Sequence, residues 1–289
     1  MSLIGAHISA AGGLYRVFER ADALNCEALQ LFTKSQLRWS AKPLTDEDTA
    51  EWKKAASISA VQDIVSHASY LINLAGEPEL RKKSTKSMTE EILRCHILGI
   101  DKIVLHPGAC GKNDIKTALC LLSESLLEIL DRTADCGVKI LLETMAGQGS
   151  AIGSSLEEFA RVLEHTKGHS RIAFCADTCH IYAAGYNIAE DEGYENFISC
   201  ITENIGIERL LCWHLNDSKK TCGSRIDRHE HIGKGAIGLR AFKNIIRDKR
   251  FIGIPSLLET PKENDTDKIN LEILRSFRTP DATLQEKRC

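Results

Sequence analysis

Hydrophobic residues fall into eight short runs along the chain, with polar stretches between them. The runs start 25 to 45 residues apart, which leaves room for one helix and two loops in each interval. Short apolar runs bounded by polar residues predict buried strands. The predicted strands are Leu3–His7, Ala28–Phe32, Asp63–His67, Lys102–His106, Val138–Glu143, Arg171–Asp177, Leu210–Leu215 and Pro255–Thr260.

The intervals between these runs carry helical patterns and helix-start signals. Thr45 precedes Glu47, and the pair at 154–155 precedes Glu157 and Glu158, as in capping sequences. The predicted helices include Gly13–Leu24, Lys86–Leu98, Thr117–Cys136, Leu156–His165 and Leu239–Arg247.

Strands that alternate with helices indicate an α/β fold, and eight of them favour a closed (β/α)₈ TIM barrel. An open doubly wound sheet is the alternative, but no GxGxxG motif follows the first strand. We expect one barrel domain over 1–278 and a polar tail at 279–289. The connection Asn216–Gly238 is long and lacks periodicity, which is typical of functional loops.

The amino-acid composition limits the classes of protein to which this chain can belong. Hydrophobic residues make up 43% and charged residues 27% of 289 residues, as in globular proteins. The formal net charge of −3 means that a nucleic acid would need a local basic patch or metal ions. Eleven irregularly spaced cysteines predict reduced thiols in a cytoplasmic protein. No membrane span, protein partner or assembly is predicted, so we expect a monomer.

In seven of the eight runs, the last or next-to-last residue can bind a metal or transfer a proton. In a barrel, all strands open with their C-terminal ends on one face, where active sites lie. Several buried carboxylates converging with imidazoles would be costly without a cation. These strand-end residues are His7, His67, His106, Glu143, Asp177, His214 and Glu259.

Two further clusters add candidate ligands. Asp177 is followed three residues later by His180, and Asp227 and His229 share one side of an extended segment, with His231 next in that alternation. Cys179 is either a ligand or, as we favour, a core residue. The candidate ligands are His67, His106, Glu143, Asp177, His180, His214, Asp227, His229 and Glu259.

Nine nitrogen and oxygen ligands exceed one zinc site, which takes three or four. They predict two or three divalent metals; zinc is favoured, and manganese or iron is the alternative. Neighbouring metals of this kind are typical of phosphoester hydrolysis.

The sequence also resembles the endonuclease IV family of apurinic/apyrimidinic endonucleases (deoxyribonuclease IV) over essentially its whole length. The segments that carry the resemblance are IGAHISAAGG, FTKSQLRW, SHASYLINLAG, LHPGA, ETMAGQGS, ADTCHIYAAGY, HLNDSKK, GSRIDRHEHIGKG and LLETPK. DTCH and DRHEHIG are the most specific of these motifs.

The resemblance implies three zinc ions per chain, with manganese as a possible substitute. It implies that His67 and His106 bind one zinc and that Glu143 bridges to the second. It implies that the second zinc is completed by Asp177, His214 and Glu259, and that the third is bound by His180, Asp227 and His229. His7 would support a ligand without binding metal.

The implied activity is base excision DNA repair. The family hydrolyses the phosphodiester on the 5′ side of an abasic site in double-stranded DNA and leaves a 3′-hydroxyl and a 5′-deoxyribose phosphate. It also trims blocked 3′ ends as a 3′-phosphodiesterase. Glu143, Asp177 and Glu259 would be catalytic, and Glu143 would hold and deprotonate the attacking water.

DNA contacts are implied for five residues on strand-end loops. Tyr70 matches a side chain that the family wedges into the duplex. Leu37 stands where many relatives have a basic residue, and Arg38 follows it. For a single lysine, a solvated loop is an equally good interpretation. The five residues are Tyr70, Arg38, Lys34, Lys219 and Arg225.

Two other functions remain as alternatives. Related barrels use His, Asp and Glu metal sites as sugar isomerases or epimerases, but these need fewer ligands and a Lys or Glu for proton transfer. A catalytically silent DNA- or metal-binding barrel is the second alternative, against which the intact ligand set argues.

Overall fold

The computed structural model describes residues 1–262 and 266–279. Eight parallel strands close into a barrel in the order β1-β10-β7-β6-β5-β4-β3-β2. The predicted TIM barrel is therefore confirmed, and the open sheet is wrong. The barrel strands are β1 Leu3–His7, β2 Ala28–Leu31, β3 Asp63–His67, β4 Lys102–Leu105, β5 Lys139–Glu143, β6 Ile172–Asp177, β7 Leu210–His214 and β10 Pro255–Leu258.

Each predicted strand is present, within two residues of the expected ends. The interior of the barrel holds a layer of small and branched side chains that includes Val65, Val104, Leu141 and Leu257. At Gly5 a Cβ atom would lie 1.7 Å from the carbonyl oxygen of Ala28, so the approach of β1 to β2 requires glycine.

Helices surround the barrel and form the larger hydrophobic core against its outer face. The described part of the chain has helices α1 Arg16–Ala23, α2 Asp46–Ile58, α3 Pro78–Leu98, α4 Ile115–Arg132, α5 Leu156–His165, α6 Thr178–Ala184, α7 Asp191–Asn204, α8 Leu239–Arg247 and α9 Thr266–Ser276. All five predicted helices are present.

Four further helices were not named from the sequence, and two of them have atypical apolar patterns. Helix α2 buries only Trp52, so it has almost no apolar stripe. Helix α6 is the opposite, since nearly all its residues are buried and no polar face remains. Helices α7 and α9 were also missed.

Helix starts follow local capping. Thr45 forms a capping box with Asp48, not with Glu47, and so fixes the start of α2. Helix α3 begins at Pro78, earlier than the predicted Lys86, because proline suits the first turn of a helix.

The long connection 216–238 is ordered by one carboxylate. It contains a two-stranded antiparallel ribbon, β8 Asp217–Ser218 and β9 His229–Glu230. Asp217 is buried and accepts hydrogen bonds from the backbone N–H groups of Gly233, Gly235 and Ile237 at 2.9–3.1 Å. The Asp217 carboxylate and the β8–β9 ribbon therefore hold the segment that carries Asp227 and His229.

Among the described residues, no helix is both long and apolar enough to span a bilayer. The predicted single domain over 1–278 and polar tail at 279–289 stay predictions. Residues 280–289 of that tail lie outside the described part of the chain.

Candidate metal centre

The nine predicted ligands lie together at the C-terminal end of the barrel. Their ligand atoms fall into three groups, and within each group all the atoms lie within 4.8 Å of one another. Five of the nine side chains are almost fully buried, although charged residues are rarely buried unless paired. The groups are His67, His106 and Glu143; Glu143, Asp177, His214 and Glu259; and His180, Asp227 and His229.

The first group joins three adjacent strands. Glu143 ends β5, and its Oε2 lies 3.3 Å from His67 Nε2 and 3.1 Å from His106 Nε2. His67 Nδ1 donates a hydrogen bond to the carbonyl oxygen of Ala68 at 2.8 Å. That bond leaves the Nε2 lone pair of a neutral His67 directed towards Glu143.

The second group surrounds His214, at the end of β7. His214 Nδ1 lies 3.0 Å from Glu143 Oε1, 3.2 Å from Glu259 Oε2 and 4.0 Å from Asp177 Oδ2. Glu143 thus uses one oxygen in each of the first two groups. Such a carboxylate could serve as a ligand in both groups.

The third group depends on a helix end and on the long loop. Asp177 caps α6 by accepting a hydrogen bond from the His180 N–H at 2.9 Å, which aims the His180 ring into the site. Asp227 Oδ2 lies 3.2 Å from His180 Nε2, and its Oδ1 lies 3.2 Å from His229 Nε2.

The charges in the site are strongly coupled. Burial by itself lowers the pKa of His214 and of His180, but the surrounding carboxylates outweigh it and raise both pKa values well above the usual range. The same balance raises the pKa of His229 to about 9. Burial raises the pKa of Glu143 and of Asp227, but the histidines outweigh it and hold both carboxyls ionised.

Two buried ring nitrogens test whether metal ions fit this site. His180 Nε2 and His229 Nε2 have no hydrogen-bond partner in the described structure. Each ring instead donates from Nδ1 to a backbone carbonyl oxygen, that of Thr144 at 2.7 Å and that of Glu259 at 3.1 Å. Each of these nitrogens lies 3.2 Å from an oxygen of Asp227, so in the neutral rings a lone pair faces a carboxylate, and a cation between them would satisfy both. The donor set fits divalent metals.

Three polar residues that support the candidate ligands were not predicted. Asn216 donates to Asp177 Oδ2 at 2.6 Å, and the Thr144 hydroxyl accepts from the Asp177 N–H at 2.9 Å. Gln30 donates to Glu259 Oε1 at 2.6 Å. Gln30 lies inside an apolar run, and that polar interruption is the sequence signal that was available.

Three further residues that the sequence singled out, His7, His231 and Cys179, lie near the candidate ligands. His7 Nδ1 lies 3.4 Å from Glu259 Oε1 and outside the three groups. His231 lies outside the three groups, and its Nδ1 contacts Asn270 Nδ2 at 3.1 Å. Cys179 is buried, and its sulfur lies 4.0 Å from Asp227 Oδ1 and within 4.8 Å of ligand atoms of Asp177 and His229. Burial raises the pKa of the Cys179 thiol to about 12, which disfavours the thiolate.

Four of the five predicted DNA contacts are exposed on loops at the same end of the barrel, because each of these loops follows a parallel strand. The Tyr70 ring is 51% exposed and lies 5.4 Å, centroid to centroid, from both His67 and His106. Lys219 lies 3.8 Å from Glu230. Arg38 and Arg225 complete this set.

Lys34 does not fit its predicted role as a DNA contact. Its ammonium is buried and lies 3.1 Å from Glu91 Oε1. It also donates to Ser87 Oγ at 2.6 Å and to the carbonyl oxygen of Trp39 at 2.9 Å. The prediction is wrong, because a lysine paired inside the protein has no free charge to offer a phosphate.

Comparison with known proteins indicates which proteins this chain is related to. Residues 18–279 match the family described as Xylose isomerase-like TIM barrel. A protein from Trichlorobacter lovleyi named "Probable endonuclease 4" is 43% identical over 277 residues, which cover 95% of this chain and 99% of that protein.

Solved structures also resemble this chain over almost its whole length. The crystal structure of endonuclease IV from Thermus thermophilus superimposes with a TM-score of 0.85 at 32% identity, covering 96% of this chain and 98% of that one. A D-tagatose 3-epimerase-like protein superimposes with a TM-score of 0.72 at 22% identity, covering 95% and 97%. At that identity the second likeness shows a shared barrel only.

Proposed function

This chain belongs to the endonuclease IV family of nucleases, and from that premise we propose that it incises double-stranded DNA on the 5′ side of abasic sites. The products are a 3′-hydroxyl and a 5′-deoxyribose phosphate. The same site trims blocked 3′ ends as a 3′-phosphodiesterase. As an endonuclease the chain is a hydrolase, and its proposed role is in base excision DNA repair.

The observation that carries the proposal is the sharing of Glu143 between two groups of candidate ligands. One of its oxygens lies 3.1–3.3 Å from two histidines, and the other lies 3.0 Å from a third. A buried carboxylate in that position suits neighbouring cations, and clusters of neighbouring cations suit phosphodiester hydrolysis.

We propose that the site holds three zinc ions per chain, with manganese as a substitute, one for each group of ligands. When bound, these ions supply Lewis-acid chemistry: they make water a stronger acid and stabilise negative charge on phosphate oxygens. The proposed ligands are His67, His106, Glu143, Asp177, His180, His214, Asp227, His229 and Glu259.

The chain's own residues hold and deprotonate the attacking water. Glu143 is ionised and fully buried where the first two ligand groups meet, so its negative charge lies where the water would be activated. It orients the water and accepts its proton. Asp177 and Glu259 are held in place by Asn216 and Gln30, so that the negative side chains keep their positions during the reaction.

DNA is held by the loops around the site. Tyr70 is a half-exposed aromatic ring beside two candidate ligands, and such a side chain can enter the duplex and kink it at the lesion. Arg38, Lys219 and Arg225 supply exposed positive charge for the phosphate backbone. Leu37, which is 68% exposed, adds an apolar contact next to Arg38.

A defined oligonucleotide duplex tests the proposal. One strand carries a single tetrahydrofuran abasic analogue, and a second duplex carries a 3′-phosphoglycolate end. Zinc-loaded protein should cut the first duplex on the 5′ side and trim the second, whereas an undamaged duplex of the same sequence should remain intact. A folded, metal-loaded preparation that leaves both damaged duplexes uncut would overturn the proposal.

Sugar epimerisation is the competing function, since the barrel is shared with an epimerase-like protein. Keto-sugar epimerases need fewer metal ligands, whereas nine candidate ligands in three groups lie together here. Turnover of D-tagatose or D-psicose by the purified chain would favour this alternative.

A further inference from the structure

Gln30 occupies one of the two barrel strands, β1 and β2, that supply no candidate metal ligand. It lies in β2, between β1 and β3, and its side chain is fully buried. The amide nevertheless reaches the candidate ligands on two distant strands, β7 and β10. A buried amide at this position requires an explanation, because buried polar groups are retained only with partners.

The contacts of Gln30 fix the orientation of its own amide. Its Nε2 lies 2.6 Å from Glu259 Oε1, and an ionised carboxylate only accepts hydrogen bonds. The same Nε2 lies 2.9 Å from His7 Nδ1. The amide nitrogen therefore faces Glu259 and His7, and the carbonyl oxygen Oε1 faces the opposite way.

That orientation determines where His214 holds its proton. Gln30 Oε1 lies 2.9 Å from His214 Nε2, and a carbonyl oxygen only accepts. His214 Nε2 must then be the protonated nitrogen of the neutral ring. The lone pair is left on Nδ1, which faces Glu143 and Glu259 at 3.0 and 3.2 Å.

His214 differs in this respect from three other histidines of the site. His67, His180 and His229 each donate from Nδ1 to a backbone carbonyl oxygen and present Nε2. A backbone carbonyl survives any substitution, whereas the partner of His214 is the side chain of Gln30.

We propose that Gln30 is a positioning residue for the second metal of the centre. It selects the ring tautomer of His214 and holds the carboxylate of Glu259 with the same amide. The inference rests on the proposed function only in assuming that metals bind to the ligand groups described above. Partners of metal ligands that act in this way typically change metal affinity by about 10–100-fold when removed.

Gln30→Met tests the proposal, since it keeps the length of the side chain and removes both polar atoms. Asn270→Leu is the matched control: Asn270 is also a buried amide, and it contacts His231, which lies outside the ligand groups. Zinc affinity is measured without DNA, by competition with a chromogenic chelator, and bound zinc is counted by elemental analysis.

The expected result is a loss of about 10–100-fold in zinc affinity at one site of Gln30→Met, with unchanged affinity in Asn270→Leu. Equal zinc affinity in the wild-type protein and Gln30→Met would overturn the proposal and leave the proposed function intact. A wild-type protein that binds no zinc would overturn the proposed metal centre itself.

A second measurement on the wild-type protein covers the case in which Gln30→Met does not fold. Long-range ¹H–¹⁵N spectra of the zinc-loaded protein report the protonated ring nitrogen of each histidine. We expect the proton of His214 on Nε2, in contrast to Nδ1 in His67, His180 and His229. A proton on Nδ1 of His214 would overturn the proposal.

Discussion

In two histidines of the site, His180 and His229, the two ring nitrogens make different contacts. In His180 and His229, Nδ1 donates to a backbone carbonyl oxygen while Nε2 is buried without a hydrogen-bond partner. Both Nε2 atoms lie 3.2 Å from an oxygen of Asp227. This third group lies outside the strand ends, because Asp227 and His229 come from the long loop.

His180→Ala or His229→Ala should therefore remove one metal per chain without unfolding the barrel. The remaining six ligands belong to the other two groups and keep their strand positions. Elemental analysis of the purified variants gives the metal content, and circular dichroism gives the fold. Asn270→Leu is the control for loss of a buried polar group. Unchanged metal content in both alanine variants would contradict the assignment.

Glu143→Gln should retain DNA binding and lose incision. Glutamine keeps the shape of the side chain, but it removes the negative charge that lies between three histidines. The exposed residues proposed to contact DNA, such as Tyr70, are untouched. Binding is measured by fluorescence anisotropy on the abasic duplex, and incision by single-turnover kinetics; we expect a fall of about 10²-fold or more in rate. Near-normal turnover would exclude a role for Glu143 in the chemistry.

Two loops that follow neighbouring strands are joined by a buried ion pair. Lys34, after β2, contacts Glu91 of α3, whose two oxygens accept from the Ser69 N–H at 3.3 Å. The Ser69 hydroxyl in turn donates to the carbonyl oxygen of Gln36 at 2.7 Å. Lys34 is therefore an internal support for the loop that carries Leu37 and Arg38.

Lys34→Met should destabilise the protein by about 3–5 kcal/mol, because it leaves the buried carboxylate of Glu91 without its cation. Urea unfolding gives the free energy change. The double variant Lys34→Met with Glu91→Gln removes both charges and retains an acceptor for Ser69, so it should recover most of the loss. A double variant that is as unstable as Lys34→Met would show that the uncompensated charge is not the cause.

Over the whole molecule, the formal net charge is only −3, but negative side chains are concentrated at the mouth of the barrel. Without metal ions, the histidines supply the compensating charge by binding protons, and this raises their pKa values. Metals and protons therefore compete for the same nitrogen atoms.

This competition predicts how the stability of the metal-free protein depends on pH. The pKa of His229 is raised from 6.5 to about 9, so protonated His229 stabilises the folded chain at low pH. That contribution is complete below about pH 6.5 and is lost as the pH rises through about 9. His180 and His214 act in the same direction.

Chelator-treated protein should accordingly lose stability between about pH 6.5 and pH 9. Zinc-loaded protein should not show this fall, because metal ions need the neutral rings. Chemical unfolding of both forms at a series of pH values measures the effect. The same slope with and without zinc would refute the proton–metal competition.

The sequence by itself determined the eight strands and the polar residues that end them. Strands such as Asp63–His67 and Leu210–His214 appear as apolar runs because both of their faces are buried, and their last residues face the open end of the barrel. The period and the length of an apolar run depend on neighbouring residues alone, so the sequence shows them directly. The motifs around Asp177, His180, Asp227 and His229 did the same for the loop ligands.

Only the tertiary structure decided which polar residues support those ligands and which face solvent. Gln30 and Glu259 are 229 residues apart in sequence, and Lys34 and Glu91 are 57 apart, yet each pair is in contact. Lys34 looked like a surface cation because a sequence shows charge but not burial. Burial and partner depend on contacts between distant segments, which exist only once the barrel has closed.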